Sequence, residues 1–302
     1  MNPTNENCID ILLATYNGEK YIKTQLYSIL YQDYTNWKIL IHDDGSTDNT
    51  VKIIKEFAKI DNRIILIEDG ITGLGPGNNF IHLLSFSTSP FICFADQDDI
   101  WFENKLSSLF NIIKKKDNSR PQIVCCNFLE WNDGTIHPHK LNKMKGFNEY
   151  LFQNGGIQGC ACMFNRRILK LTERPIDHIA MHDHFIGLIG LTFNAIEYYD
   201  KPLFFYRRHA TNVTGLNRNL KSILKSPSPV VKLNYQQGNI AFYKAFKNEL
   251  SKSQKKIFQA YIELFDKNLS QKLWIIIVNN FKIYQSNLRL IIKLLLNPFI
   301  EN

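Results

Sequence analysis

The sequence predicts an α/β fold: a mixed, mainly parallel sheet with helices on both faces, followed by a C-terminal helical extension. Three observations carry that expectation. Over the first hundred residues, four short apolar runs alternate with helical patterns. The runs are apolar at consecutive positions, as in strands covered on both faces, and each empties into a polar cluster. Strand and helix in strict alternation imply parallel pairing through right-handed crossovers.

The first run spans residues 8–14, and Tyr21, Ile22, Leu26, Ile29 and Leu30 then share one helical face within 18–31. Residues 37–42 form the second strand, ending in Asp43-Asp44-Gly45-Ser46, where Ser46 suits the cap of a helix through Val51, Ile54, Phe57 and Ala58. Residues 64–67 form the third. The stretch Gly73-Leu74-Gly75-Pro76-Gly77 breaks regular structure before a helix over 78–84. The fourth strand, 91–95, empties into Asp96-Gln97-Asp98-Asp99, with Asp99 suited to cap a helix over 101–109. Beyond residue 120 come a strand over 123–128, a glycine-rich turn over 155–159, an apolar helix over 185–191 and a strand-like run over 195–206. Pro227 and Pro229 mark a linker, dividing the chain into a main domain, 1–216, and a basic helical region, 217–302.

At 302 residues and 44% hydrophobic content the chain can bury a sizeable core. Its six cysteines lie mostly in apolar runs without zinc-ligand spacing, so they read as reduced, buried residues of a cytoplasmic protein. No secretory pattern opens the chain, which leaves the Asn212-Val213-Thr214 sequon coincidental. The apolar runs at 273–278 and 290–296 are well short of the roughly 18 residues a spanning helix needs.

The net charge of +8 is uneven: 217–302 carries 14 Lys and Arg against 4 Asp and Glu, leaving the main domain slightly acidic. In that tail, 275–281 and 288–299 set apolar residues among Lys272, Lys282, Arg289 and Lys293. Two readings follow: amphipathic helices on an anionic membrane surface, or a bundle packed on the main domain with a solvated basic face. No nucleic-acid recognition pattern accompanies the charge.

Polar clusters at strand carboxyl ends are where an open α/β sheet binds ligands. Neither a dinucleotide glycine fingerprint nor a P-loop is present. Carboxylates gathered at Asp96 and Asp98 would repel one another without a cation, and Mg²⁺ or Mn²⁺ bridging to a phosphate fits so short an acidic turn.

Thr15-Tyr16-Asn17-Gly18, Asp43-Asp44-Gly45-Ser46-Thr47-Asp48 and Asp96-Gln97-Asp98-Asp99-Ile100-Trp101, in that order and spacing, resemble a family 2 glycosyltransferase of GT-A fold, the Rossmann-like fold of nucleotide-diphospho-sugar transferases. His182-Asp183-His184 and Tyr206-Arg207-Arg208-His209-Ala210-Thr211-Asn212-Val213 resemble segments of bacterial rhamnosyltransferase-like members, which build O-antigen, capsule and related polysaccharides. The resemblance covers about residues 8–215.

It implies an inverting, metal-dependent transferase at the inner face of the cytoplasmic membrane, moving a sugar, with L-rhamnose from dTDP-rhamnose as the leading donor, to a lipid-linked glycan. Thr15, Tyr16 and Asn17 would line the nucleoside pocket, with Asp43 on base or ribose. Asp44 would join them or simply make its turn. Asn78 and Asn79 would reach the nucleotide or cap their helix. Asp96 would meet the ribose or a metal-bound water, Asp98 would hold Mn²⁺ or Mg²⁺, and His209 would complete that site or contact the diphosphate. Arg207 or Arg208 would neutralise phosphate, Gly159 would let backbone approach a sugar, and Asp183 would deprotonate the acceptor hydroxyl. Rival readings are a UDP-hexose or UDP-N-acetylhexosamine transferase of the same fold, a non-catalytic sugar-nucleotide-binding protein, and a phospho-acceptor signalling domain centred on Asp43-Asp44.

Overall fold

The computed structural model describes residues 6–132, 134–139, 143–152, 157–209, 234–283 and 285–296. The expected linker at Pro227 and Pro229, the sequon at Asn212, Gly155 and Gly156 of the glycine-rich turn, and residues 297–299 of the last helix lie outside them.

Strands β1 (Ile9–Thr15), β2 (Trp37–Asp43), β3 (Ile64–Ile67) and β4 (Phe91–Ala95) pair in parallel, with helices α1 (Ile22–Leu30), α2 (Thr50–Ile60) and α3 (Gly75–Leu84) as the crossovers. The order β3-β2-β1-β4 reverses direction at β1. A crevice therefore opens between the carboxyl ends of β1 and β4, beside Thr15 and Asp96.

The second half of the sheet is mixed. After β5 (Ile100–Trp101) and α4 (Lys105–Ile113) come β6 (Ile123–Asn132), β7 (Thr135–Pro138), α5 (Phe147–Tyr150), a 3₁₀ turn at Gly159–Ala161, β8 (Cys162–Asn165), α6 (Arg166–Thr172), α7 (His182–Thr192) and β9 (Ile196–Arg208). Strand β8 runs antiparallel between β4 and β6, β6 pairs in parallel with β9, and β7 pairs with β6 alone. Two register shifts in the β6–β9 ladder bend β9, whose far end pairs antiparallel with β5, Ile100 opposite Phe205. That bend returns Arg208 and His209 to the acidic turn that β5 follows.

Each sheet face has its own core. Ile9, Ile11 and Leu13 of β1 pack with α1, α2 and α4, whereas Leu12 faces α3, α5, α6 and α7. The tail joins this second core through α8 (Asn234–Phe246), α9 (Lys252–Glu263), α10 (Leu269–Val278) and α11 (Asn287–Leu296), with Phe242, Phe246, Phe258, Tyr261 and Ile276 fully buried. Capping boxes at Ser251 and Asn268 start α9 and α10. Cysteines 93, 125, 126, 160 and 162 are buried and all six are free thiols.

Local expectations differ from the structure at three points. Ser46 does not cap α2: Asn49 precedes that helix, and the Ser46 hydroxyl donates to Asp43 at 2.6 Å. Asp99 is not a helix cap either, because residues 100–101 pair with β9 and α4 begins four residues later than residue 101. Helix α3 begins inside the glycine stretch, since Pro76 suits a first turn and the Asp44 carboxylate accepts from the N–H groups of Leu74 and Gly75 at 2.7 and 2.8 Å.

Helix α7 packs too closely for side chains at two glycines. A Cβ on Gly187 would fall against the hydroxyl of Tyr150, a ring buried in the core and unable to swing aside. Gly187→Ala is expected to lower stability by about 3 kcal/mol, at the upper end of overpacking costs, read as the shift in a urea unfolding midpoint.

Candidate functional site

A cavity of about 1120 Å³ opens at the crevice between β1 and β4 and extends under α3 to the start of α7. Of the residues singled out from sequence, Thr15, Tyr16, Asn17, Asp44, Asp96, Asp98, Gly159, Asp183, Arg208 and His209 line it. Asp43, Asn78 and Arg207 do not.

The nucleoside end is a set of loops tied by side chains. Asp43 accepts from the Thr15 hydroxyl at 2.8 Å, from the Ser46 hydroxyl, and from the N–H groups of Gly45 and Ser46. Its role in the structure is to fasten β1 to the loop after β2. Asn17, in a left-handed conformation with φ of 47°, accepts from the Thr47 N–H at 2.8 Å. Gln97 pairs with the backbone of Tyr16 in both directions at 3.0 Å, joining the β1 loop to the acidic turn. Asn78 points its amide at the Leu74 carbonyl on the exposed side of α3, and it is Asn79, buried against His42, that reaches the cavity.

The acidic turn sits over a buried cation. Lys105 is fully buried, donates to the Cys160 carbonyl at 2.6 Å, and lies 3.7 Å from the Trp101 ring and 4.1 Å from that of Phe204. Burial, together with Asp96 and Asp98, pushes the Asp99 carboxyl well above its usual range, with Cys160 beside it. Burial and the like charges of Asp98 and Asp183 raise Asp96 to about 7. Carboxylates crowded in this way are short of positive charge.

Asp98 faces His209, whose Nε2 lies 2.7 Å from its Oδ2. The His209 ring stacks on Tyr21 at 4.5 Å. Asp98 and His209 meet in the cavity that Asp96 also lines, and a carboxylate and an imidazole there are donors that would suit Mn²⁺ or Mg²⁺ bound jointly with phosphate oxygens, although the ligand atom of Asp96 lies nearer Asp99 and Cys160. The two arginines part company here. Arg208 lines the cavity and pairs with Glu130 at 3.2 Å, while Arg207 donates to the Asp98 carbonyl and packs over Tyr21 and Trp131.

Across the cavity, Asp183 occupies the first turn of α7, 8% exposed, with its Oδ1 accepting from the His184 N–H at 2.6 Å. Beside it His182 is 5% exposed, and neither ring nitrogen has a hydrogen-bond partner among the described residues. Phe80 and Phe94 hold the ring in place. Gly159 lies so close that a Cβ there would collide with His182 Nε2. A buried imidazole in a cavity wall is placed to exchange a hydrogen bond with a group that enters the cavity. His182 belongs to a quoted motif but received no role from sequence. Lys105 carries no pattern that could single it out, Gln97 belongs to a quoted motif without a role of its own, and Asn79 shares its reading with Asn78.

Burial pushes His182 down to about 3 and His184 to about 4. Both rings are neutral in the folded chain and take up protons on unfolding below about pH 6.5. Their contribution to stability is complete above that pH and falls by roughly 1.4 kcal/mol per pH unit for each as the medium is acidified toward pH 4. Urea unfolding at pH 7 and pH 5 is expected to differ by about 4 kcal/mol from these two residues; equal stabilities would contradict their neutral burial.

The family model described as glycosyl transferase family 2 matches residues 10–172. The dTDP-rhamnosyl transferase RfbG of Shigella flexneri is 31% identical over 226 residues, 70% of this chain and 77% of the relative. The UDP-Glc:alpha-D-GlcNAc-diphosphoundecaprenol beta-1,3-glucosyltransferase WfgD of Escherichia coli is 30% identical over 189 residues, 62% and 71% of the two chains. In fold, the chain is similar to S. aureus TarS 1-349 in complex with UDP-GlcNAc, at TM-score 0.61 and 16% identity over 89% of this chain and 78% of that one. It is also similar to the mannosyltransferase PcManGT of Pyrobaculum calidifontis in complex with GDP-Man and Mn2+, at TM-score 0.56 and 17% identity over 87% and 71%.

Proposed function

Because the chain belongs to glycosyl transferase family 2 and is a glycosyltransferase acting on nucleotide sugars, we propose that it transfers L-rhamnose from dTDP-rhamnose to a lipid-linked glycan with inversion at the anomeric carbon. The observation that carries this reading is that Asp98 and Asp183 line one cavity together with the nucleoside loops.

In the proposed reaction the acceptor hydroxyl attacks the anomeric carbon from the side opposite the diphosphate. The new carbon–oxygen bond forms as the sugar–phosphate bond breaks. Asp183 takes the hydroxyl proton, and the electron pair leaves with the nucleoside diphosphate. A single displacement needs no covalent intermediate and inverts the centre. Thr15, Tyr16 and Asn17 hold the nucleoside and Arg208 faces the diphosphate. His182 accepts or donates to a sugar hydroxyl. Asp98, His209 and Asp96 would hold Mn²⁺ or Mg²⁺, which supplies positive charge to the departing diphosphate.

Support for the donor comes from the relative named as a dTDP-rhamnosyl transferase, and for a lipid-linked acceptor from the relative whose name carries diphosphoundecaprenol. That second relative acts on UDP-Glc, so a UDP-hexose is the competing donor. A thermal-shift screen of dTDP-rhamnose, UDP-glucose, UDP-N-acetylglucosamine and GDP-mannose with Mn²⁺ separates them, since a ligand bound only by the folded chain raises its melting temperature. A shift confined to the UDP-sugars would overturn the rhamnose assignment, and none with any of the four would place the donor outside this set.

Membrane association at the inner face is part of the same proposal. No helix among the described residues is long and apolar enough to cross a membrane. On α10, Trp274 and Ile277 are 64% and 63% exposed, and on α11 Leu288 is 65% exposed, with Ile292 and Leu295 one and two turns on and Arg289 exposed beside them. Apolar stripes flanked by cations suit an anionic bilayer surface. Deleting the tail would strip Phe242 and Phe258 from the core, so substitutions are the sound test. Arg289→Ala is expected to weaken binding to phosphatidylglycerol vesicles about fivefold, and Trp274→Glu to weaken it further. Binding unaltered by either change would exclude this surface.

A further inference from the structure

We propose that His42, Asp69 and His82 form a second metal site, apart from the acidic turn, that takes a divalent ion of the zinc class. The three side chains come from the end of β2, the loop after β3 and the last turn of α3. One ligand atom from each lies within 4.8 Å of the other two. His42 Nε2 is 3.3 Å from Asp69 Oδ1, and His82 Nε2 is 2.6 Å from Asp69 Oδ2.

An independent observation fixes which His42 nitrogen is available. Asn79 donates its Nδ2–H to the His42 carbonyl at 3.3 Å, which turns its Oδ1 toward His42 Nδ1 at 2.7 Å. An amide oxygen only accepts, so Nδ1 carries a proton, and Nε2 is the ring nitrogen turned to the Asp69 carboxylate. Asp69 meets an imidazole nitrogen at each of its oxygens, Oδ1 also accepting from the Ile71 N–H at 3.0 Å, and such a cluster calls for positive charge among the three side chains. A proton on Nε2 would supply it for His42 alone; a divalent ion serves both histidines at once. The buried His42–Asn79 hydrogen bond is the outer-shell contact that orients a ligating imidazole.

Two imidazoles and a carboxylate are a zinc-type donor set, and at bond lengths of about 2.0–2.2 Å tetrahedral ligands stand roughly 3.3 Å apart. The His42–Asp69 spacing of 3.3 Å already matches, and the His82–Asp69 contact of 2.6 Å has to lengthen to about that value when an ion enters. Asp69 and His82 are partly exposed, leaving water access to the remaining position. The consequence reaches the cavity, because the chain from Asp69 continues directly into Thr72, Gly73 and Gly75 of its wall. An ion here would pin that loop to β2 and α3. None of this depends on which sugar is transferred.

Titration of metal-stripped protein with Co²⁺ and then Zn²⁺ tests the site. The wild type is expected to show the visible bands of low-coordinate Co²⁺, abolished by one equivalent of Zn²⁺. His82→Ala and Asp69→Asn, both at partly exposed positions, should lose the bands and bind Zn²⁺ more than tenfold more weakly while keeping the wild-type circular dichroism and melting temperature. Asn79→Ala should weaken Zn²⁺ about 10–100-fold. Asp98→Asn should leave the bands in place, which separates this site from the acidic turn. Absence of bands in the wild type, undiminished Zn²⁺ affinity in His82→Ala, or loss of the bands in Asp98→Asn would overturn the proposal.

Discussion

Asp183→Asn is expected to lower kcat by about 10²–10⁴-fold, the range general-base catalysis supplies, while the affinity for donor nucleotide stays at the wild-type value. The substitution keeps the shape of the side chain, and its amide oxygen can still accept from the His184 N–H that holds Asp183 at the head of α7. What it removes is the capacity to take a proton. A carboxylate in that first turn also benefits from the helix N-terminus, so a purely structural Asp183 would show its loss in melting temperature and spare turnover. The measurement is therefore paired: initial rates of nucleoside diphosphate release beside thermal unfolding. Slow turnover in a stably folded variant supports the base, whereas full turnover with a lowered melting temperature would make Asp183 a cap.

Asp98→Asn is expected to fail differently. Its carboxylate faces His209 Nε2 at 2.7 Å, in a cavity where burial and the like charges of Asp98 and Asp183 already raise Asp96 to about 7. Removing one carboxylate charge from that donor set should abolish the dependence of the rate on Mn²⁺ and lower kcat/KM by about 10²–10³-fold, equivalent to ~3–4 kcal/mol of lost stabilisation of the departing diphosphate. Donor affinity falls in this variant and holds in Asp183→Asn. That opposition separates the phosphate end of the cavity from the acceptor end. Retention of Mn²⁺-dependent turnover by Asp98→Asn would remove Asp98 from the metal site.

The parallel half of the sheet was legible because burial on both faces leaves runs such as Phe91–Ala95 with hardly a polar residue, and because every crossover helix shows its apolar face. The acidic turn was legible for the same reason, as an abrupt end to such a run. Its surroundings were not. Asp99 before a helical pattern resembles a cap, and only the pairing of residues 100–101 with a bent β9, a contact spanning a hundred residues, pulls it into the interior over Lys105. Asn78 and Asn79 look equivalent in sequence, yet the turn of α3 exposes one and buries the other against His42. Likewise the adjacent Arg207 and Arg208 point to opposite sides of β9, as strand pleating requires, and only Arg208 reaches the cavity. Ser46 and Asp43 carried capping and ligand signals, but loop geometry turns them toward each other. The tail displayed apolar and basic residues without revealing which face each apolar residue would take. The structure gives Ile276 to the core and Trp274 to solvent.

The most direct test is a crystal structure of Asp183→Asn grown with dTDP and Mn²⁺. Anomalous scattering from manganese is expected beside Asp98 and His209, with the diphosphate between that ion and Arg208 and with residue 183 facing the open end where the sugar and acceptor meet. Manganese and diphosphate bound away from Asp98, or a diphosphate on a surface that residue 183 does not share, would contradict the account.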